Sequence, residues 1–347
     1  MKKIISICMI VIMTMALLTG CGGSTSGGGE SDSSAGSSSS TAAKGTKDNP
    51  FVLGVSPMSG WYAWYGVDKT GIFKQNGVYV TIQFFSVYSD SLTAFYSGQV
   101  DGICIAASDA IAPLNEGVDF KVVLVNDNSA GADALVVQKD SGISSITDLK
   151  GKTVATEVGT LEHMFLLKML NDNNMTMKDI NFTNMTINDA GPAFTAGSID
   201  AAVLWEPTLS KTVSESGGTI LYSTESEPGL IPDTLAVRQE VLDSSADAVQ
   251  KIVDSWFEGV EKLNAEDEEF IQAVCDGAEL EVEDYKGMLK GVKLFDKSMN
   301  QATFSKGEDY TSLPFTLQKS AEFLLDTEMI AKMPDDVTQI LDDEFIK

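Results

Sequence analysis

Beyond residue 50 the chain alternates short apolar runs with segments of helical period. Residues 51–56, 79–85, 102–107 and 121–126 read as strands, and 59–74, 89–97 and 108–115 as the turns and helices between them. The alternation restarts at 134–138. It continues through predicted strands at 153–157, 180–185, 201–205 and 219–223, with helices over 161–173 and 190–196. One more apolar run, 234–238, precedes an almost wholly helical remainder. There Val249, Ile252, Val253, Trp256, Phe257 and Val260 mark one face of a helix over 246–263. Strands alternating with helices predict an α/β protein.

An internal echo refines this picture. Ser97-Gly98-Gln99-Val100-Asp101-Gly102 leads into a strand and Ser108-Asp109; Ala196-Gly197-Ser198-Ile199-Asp200-Ala201 leads into a strand and Glu206-Pro207. Each reads as a helix closed by glycine, then a tight turn into a buried strand. Two such units, joined by crossings near 126–138 and 228–238, predict two lobes with a cleft and a hinge. The predicted partition is 50–137 with 235–347 as the first lobe and 138–234 as the second. In open α/β sheets ligands bind beyond the carboxyl ends of strands, and Trp205-Glu206 stands at such an end.

The first 49 residues follow other rules. Lys2 and Lys3 precede the apolar run 4–18, too short for a comfortable transmembrane helix and typical of an export signal. It ends in Leu18-Thr19-Gly20-Cys21, which resembles the lipobox of bacterial lipoproteins; that resemblance implies removal of 1–20 and a lipid on Cys21. Residues 22–49 are mostly Gly, Ser, Thr, Ala and acids, so 21–49 is expected to be a flexible tether. The protein is therefore expected outside the cytoplasm, lipid-anchored at the outer face of the cytoplasmic membrane. A formal net charge of −26 argues against nucleic acid as a partner. Cys104 and Cys275 read as small buried residues, with a disulfide between them the alternative. The single histidine, His163, leaves little for a metal cluster or a Ser-His-Asp triad, so no cofactor, no metal and no enzymatic activity are expected.

Five segments, taken in order, carry a family resemblance. They are Gly71-Ile72-Phe73-Lys74-Gln75-Asn76-Gly77-Val78, Ser97-Gly98-Gln99-Val100-Asp101, Asp148-Leu149-Lys150-Gly151-Lys152-Thr153-Val154-Ala155, Gly197-Ser198-Ile199-Asp200-Ala201-Ala202 and Trp205-Glu206-Pro207. The chain resembles the substrate-binding proteins of ABC importers in the nitrate/sulfonate/taurine (NMT1/THI5-like) group. The resemblance implies a type II periplasmic-binding-protein fold, each lobe a mixed sheet flanked by helices. It also implies a monomer that captures a small solute and hands it to membrane permease subunits driven by a cytoplasmic ATPase. Some pyrimidine-precursor synthases share this fold, but no histidine stands near Trp61 here and their cysteine-rich motif is absent.

The loops after the strands would then face the solute. The candidates are Trp61 and Tyr62, Ser89 and Asp90, Ser108 and Asp109, Asp127, Thr160, and Trp205 with Glu206. Trp64 and Tyr65 read as packing for their helix. Helix N-termini in such clefts suit anions, yet none of these loops carries a lysine or arginine. They carry Asp90, Asp109, Asp127, Asp133, Glu157, Glu162 and Glu206 instead. Aromatic faces with carboxylates suit a desolvated cation. The expected solute is a small amine, amidine or guanidinium-like compound, held between Trp61 and Tyr62 with Glu206 closing on it. The alternatives are taurine, a sulfonate, nitrate or a pyrimidine vitamin precursor.

Overall fold

The computed structural model describes residues 42–347. The predicted signal 1–20, Cys21 and most of the predicted tether lie outside the described residues. The end of that tether is not free. Lys44 Nζ lies 3.1 Å from Asp101 Oδ1, and its backbone N–H donates to Ser245 Oγ at 2.8 Å. The Gly45 carbonyl accepts from the Tyr79 N–H, and Gly45, at φ +79°, lies so close to Ala248 that a Cβ there would overlap it. Composition alone cannot show that a polar segment has a docking surface waiting for it.

Eleven strands are described: β1 (Phe51–Val55), β2 (Val80–Phe84), β3 (Gly102–Ala106), β4 (Phe120–Ser129), β5 (Asp133–Val137), β6 (Thr153–Thr156), β7 (Asn181–Asn184), β8 (Ala201–Trp205), β9 (Thr219–Ser223), β10 (Pro232–Arg238) and β11 (Val292–Leu294). They form two mixed sheets, ordered β11-β4-β10-β3-β1-β2 and β7-β6-β8-β5-β9. In the first, β2, β1 and β3 run parallel and β10 lies antiparallel between β3 and β4. In the second, β7, β6 and β8 run parallel and β5 lies antiparallel between β8 and β9. In the first sheet β11 also runs antiparallel, at the edge beside β4, and each sheet takes its internal antiparallel strand from across a crossing. The partition moves accordingly: β5 pairs in the second sheet, so the first boundary falls before 133 rather than after 137, and β10 brings 232–234 into the first sheet. An apolar run buried on both faces reads the same whichever sheet receives it.

The internal echo has a structural cause. Gly98 (φ +79°) and Gly197 (φ +71°) end the helices Tyr88–Tyr96 and Ile187–Thr195 in the left-handed conformation glycine permits. The aspartate three residues later then accepts the leading N–H of the sheet's first parallel strand. Asp101 Oδ2 takes the Val52 N–H at 2.8 Å, and Asp200 Oδ2 takes the Thr153 N–H at 2.7 Å.

The apolar stripe of helix Gln239–Asn264 packs against the first sheet's helices. Trp64 lies 4.7 Å from Trp256 and 5.9 Å from Phe73 between ring centroids. Ser245 interrupts that helix with a non-helical backbone. Cys104 and Cys275 are both free and buried. Among the described residues no helix is long and apolar enough to cross a membrane.

Candidate functional site

The topology brings the carboxyl ends of β1, β3, β4, β6 and β8, and the starting ends of β5 and β10, to one gap between the sheets. Asp233, the second residue of β10, lies opposite Ala106 on one side and Asp127 on the other. Asp133 opens β5 opposite Trp205. Glu162 sits in the first turn of helix Leu161–Asp172. All four carboxyl groups have 0% exposure, and they stand as two carboxyl pairs, Asp127 within hydrogen-bonding reach of Asp233, and Asp133 of Glu162 and of Ser129. Among the described residues no lysine, arginine or histidine forms an ion pair with any of them. Buried polar groups in folded proteins are as a rule partnered, and buried charges are paired.

Burial raises the affinity of all four for protons; repulsion adds to it for Asp127, Asp233 and Glu162, while hydrogen bonds with Ser129 and Glu162 oppose it at Asp133. Asp133 is pushed up to about 6 by burial. Burial holds Asp127, Asp233 and Glu162 well above the usual carboxylate range; the charge of Asp133 raises each further, as does that of Asp127 on Asp233. Trp61 Nε1, Tyr285 Oη, both polar atoms of the Asn126 side chain, and the Ser56 and Ser59 hydroxyls lack partners here. Gly60 belongs to this arrangement, since a Cβ on it would overlap the Asp127 carboxylate.

Aromatic rings line the same gap. Tyr88 lies 5.7 Å from Trp61 and 5.6 Å from Trp205, edge-on to the latter at 85°. Asp109 differs from those four acids. Its Oδ2 accepts from the Tyr88 hydroxyl at 3.0 Å and from the Leu161 N–H at 3.2 Å, and its Oδ1 from Ser108 at 3.3 Å. Burial still pushes it up to about 7 against these hydrogen bonds. A second tie between the sheets runs from Asn188 Nδ2 to the Ser86 carbonyl at 2.6 Å. Among the described residues no group of three or more His, Cys, Asp or Glu is arranged to hold a metal ion.

Eight of the ten expected binding residues gather here buried: Trp61, Tyr62, Ser108, Asp109, Asp127, Thr160, Trp205 and Glu206. Two of these have local employment. Thr160 Oγ1 donates to the Glu157 carbonyl. Glu206 holds its own helix, Oε1 accepting from Ser210 Oγ at 2.5 Å and Oε2 from the Ser210 N–H at 3.1 Å. It is therefore not the orphaned carboxylate that the sequence suggests. Ser89 is half-buried and hydrogen-bonds Glu157 of the other lobe, drawing its carboxyl down against the burial that raises it. Asp90 is exposed and outside the site, because the next residue on a helix points about 100° away. Sequence reasoning placed Tyr88, Asn126, Asp133 and Glu162 in segments expected to face the cleft without singling them out as binding residues, and it missed Asp233 and Tyr285. Asp233 had one available signal, an acid at the head of an otherwise apolar strand.

Residues 62–270 match the family model described as NMT1/THI5 like. The chain belongs to this family. A protein of Bacillus subtilis named as an aliphatic sulfonates-binding protein is 24% identical over 275 residues, covering 79% of this chain and 80% of the relative. One of Brachyspira hyodysenteriae named as an ABC transporter periplasmic binding protein is 29% identical over 146 residues, 42% of each chain. The crystal structure of the periplasmic aliphatic sulphonate binding protein SsuA of Escherichia coli superposes with a TM-score of 0.70 at 19% identity, covering 85% of this chain and 93% of that one. At that identity the likeness shows the fold, the two-lobed α/β architecture of periplasmic binding proteins. The fold also serves catalysis: the desulfurization enzyme DSZB superposes with a TM-score of 0.64 at 13% identity, covering 85% of this chain and 97% of that one.

Proposed function

We propose that this chain is the substrate-binding protein of an ABC importer, not an enzyme, and that its cleft takes a small organic cation rich in N–H donors, such as an amidinium or guanidinium. The role in import follows from family membership and from the relatives' names. The exported address and the lipid on Cys21 belong to the same reading, on the strength of the signal and lipobox. The observation that carries the solute class is the four fully buried carboxyl groups, drawn from both sheets, that no basic side chain among the described residues answers. A cation with several N–H groups would give these oxygens charge-assisted donors, and ring faces of Trp61, Tyr88 or Trp205 turned to it would add cation–π attraction. A quaternary ammonium would bring charge without donors. Because the acids come from both sheets, such a solute would favour the closed arrangement over an open one.

A second reading, an aliphatic sulfonate, has a specific observation in its favour: the names of the relatives speak for sulfonates and not for cations. A carboxyl group kept neutral by burial can also donate its O–H to a sulfonate oxygen. A thermal-shift series with methylguanidinium, butylammonium, tetramethylammonium, methanesulfonate, taurine and nitrate separates the two, because a solute that binds only the native state raises Tm. The cation reading expects shifts with the first two, abolished in Asp233→Asn. Shifts confined to methanesulfonate or taurine would overturn it in favour of the second.

A further inference from the structure

We propose that the Asp109 carboxyl is a tethered acceptor occupying the N-terminus of helix Leu161–Asp172, where it couples the two sheets and blocks anionic solutes from that helix start. The inference rests on the gap between the sheets being the solute site, and not on the charge of the solute.

A helix of twelve residues presents unpaired N–H groups and a positive dipole end at its start. The residue that would normally answer them, Thr160 at the N-cap position, makes no side-chain cap. Its hydroxyl is turned to the Glu157 carbonyl at 2.8 Å. The acceptor comes instead from the other sheet, 52 residues earlier in the chain: the Leu161 N–H donates to Asp109 Oδ2.

Asp109 is held for this task. Its Oδ2 also receives the Tyr88 hydroxyl, and that hydroxyl oxygen in turn accepts the Ala106 N–H at 3.1 Å. Ser108 donates to Oδ1. Asp109 is only 9% exposed. A backbone N–H at a helix start, a phenol and a serine hydroxyl are donors that would suit a bound carboxylate or sulfonate, and here the bound carboxyl is part of the chain. An incoming anion would have to displace this carboxyl from its three donors.

The test titrates methanesulfonate and methylguanidinium by calorimetry into the wild type, Asp109→Ala and Asp109→Asn, with small-angle scattering on each protein without solute. Asp109→Ala vacates the helix start and should bind methanesulfonate at least tenfold more tightly than the wild type, while its solute-free form becomes more open. Asp109→Asn keeps a capping oxygen without charge, so it should stay closed and gain less. Methanesulfonate bound no more tightly by Asp109→Ala than by the wild type overturns the proposal. If Asp109→Ala does not fold, Asp109→Asn carries the test, and no gain there overturns the proposal equally. Wild-type binding of methylguanidinium without any gain of anion binding in the variants sinks this inference alone. A gain of anion binding in the variants with no methylguanidinium binding to the wild type sinks the cation reading and supports this one.

Discussion

Raising the pH from about 5 to about 7 should tighten the binding of a cationic solute. Burial pushes Asp133 up to about 6, so in the solute-free cleft it is mostly protonated at the lower pH. A cation favours the ionised carboxylate and expels that proton on binding. Below the group's pKa each pH unit therefore weakens binding about tenfold, and across the interval the ionised fraction of Asp133 rises about tenfold. Asp109, pushed up to about 7, ionises over the upper part of the same interval and acts in the same direction. Calorimetry near pH 6 in two buffers of different ionisation enthalpy counts the protons, and about half a proton per cation should be released from Asp133, rising to about 1.4 if Asp109 ionises as well. An anionic solute reverses the sign, since it is welcomed by the neutral acid and repelled by its anion. Affinity that is flat or falls with rising pH refutes the cation argument.

The solute-free protein should lose stability over the same window. Asp133 and Asp109 bind protons more tightly folded than unfolded, so their contribution is fully present below about pH 4 and is lost as pH rises through about 6 and 7. Asp133 alone accounts for roughly 3 kcal/mol in all, a little over 1 kcal/mol of it above pH 5, and Tm should fall from about pH 5 to pH 7; a rising Tm would contradict it. Glu206→Gln should weaken solute binding by less than about tenfold, because both carboxylate oxygens already answer to Ser210, whereas Asp233→Asn should weaken it by more. Equal losses would return Glu206 to the role of anchor. Gly60→Ala forces a methyl group into the Asp127 carboxylate, and overpacking of that kind costs about 1–3 kcal/mol in a denaturation curve. Trp64→Ala opens a core cavity costing about 3–5 kcal/mol, with solute affinity unchanged in the folded fraction.

The sequence by itself determined the strands and helices, their repetition in two units, and most of the segments that meet in the gap. Hydrophobic period and glycine placement are local properties: Gly98 and Gly197 end their helices wherever those helices lie, and the aspartate three residues on follows from the same local turn. Trp64 read as core for a similar reason, since a helix with an apolar face must bury it. Only the tertiary structure decided what each acid meets. Glu206 looked like the anchor because it follows a buried strand, yet a serine one helical turn away satisfies it. Asp233 looked like the edge of an apolar run, yet antiparallel pairing puts it opposite Asp127 and Ala106. Glu162 looked like an ordinary first-turn acid, while Asp109 does the work of capping that helix from the other sheet. What Asp109 and Asp233 meet depends on groups 52 and 106 residues away, and burial, which sets a carboxyl group's proton affinity, is a property of the assembled gap rather than of any segment that lines it.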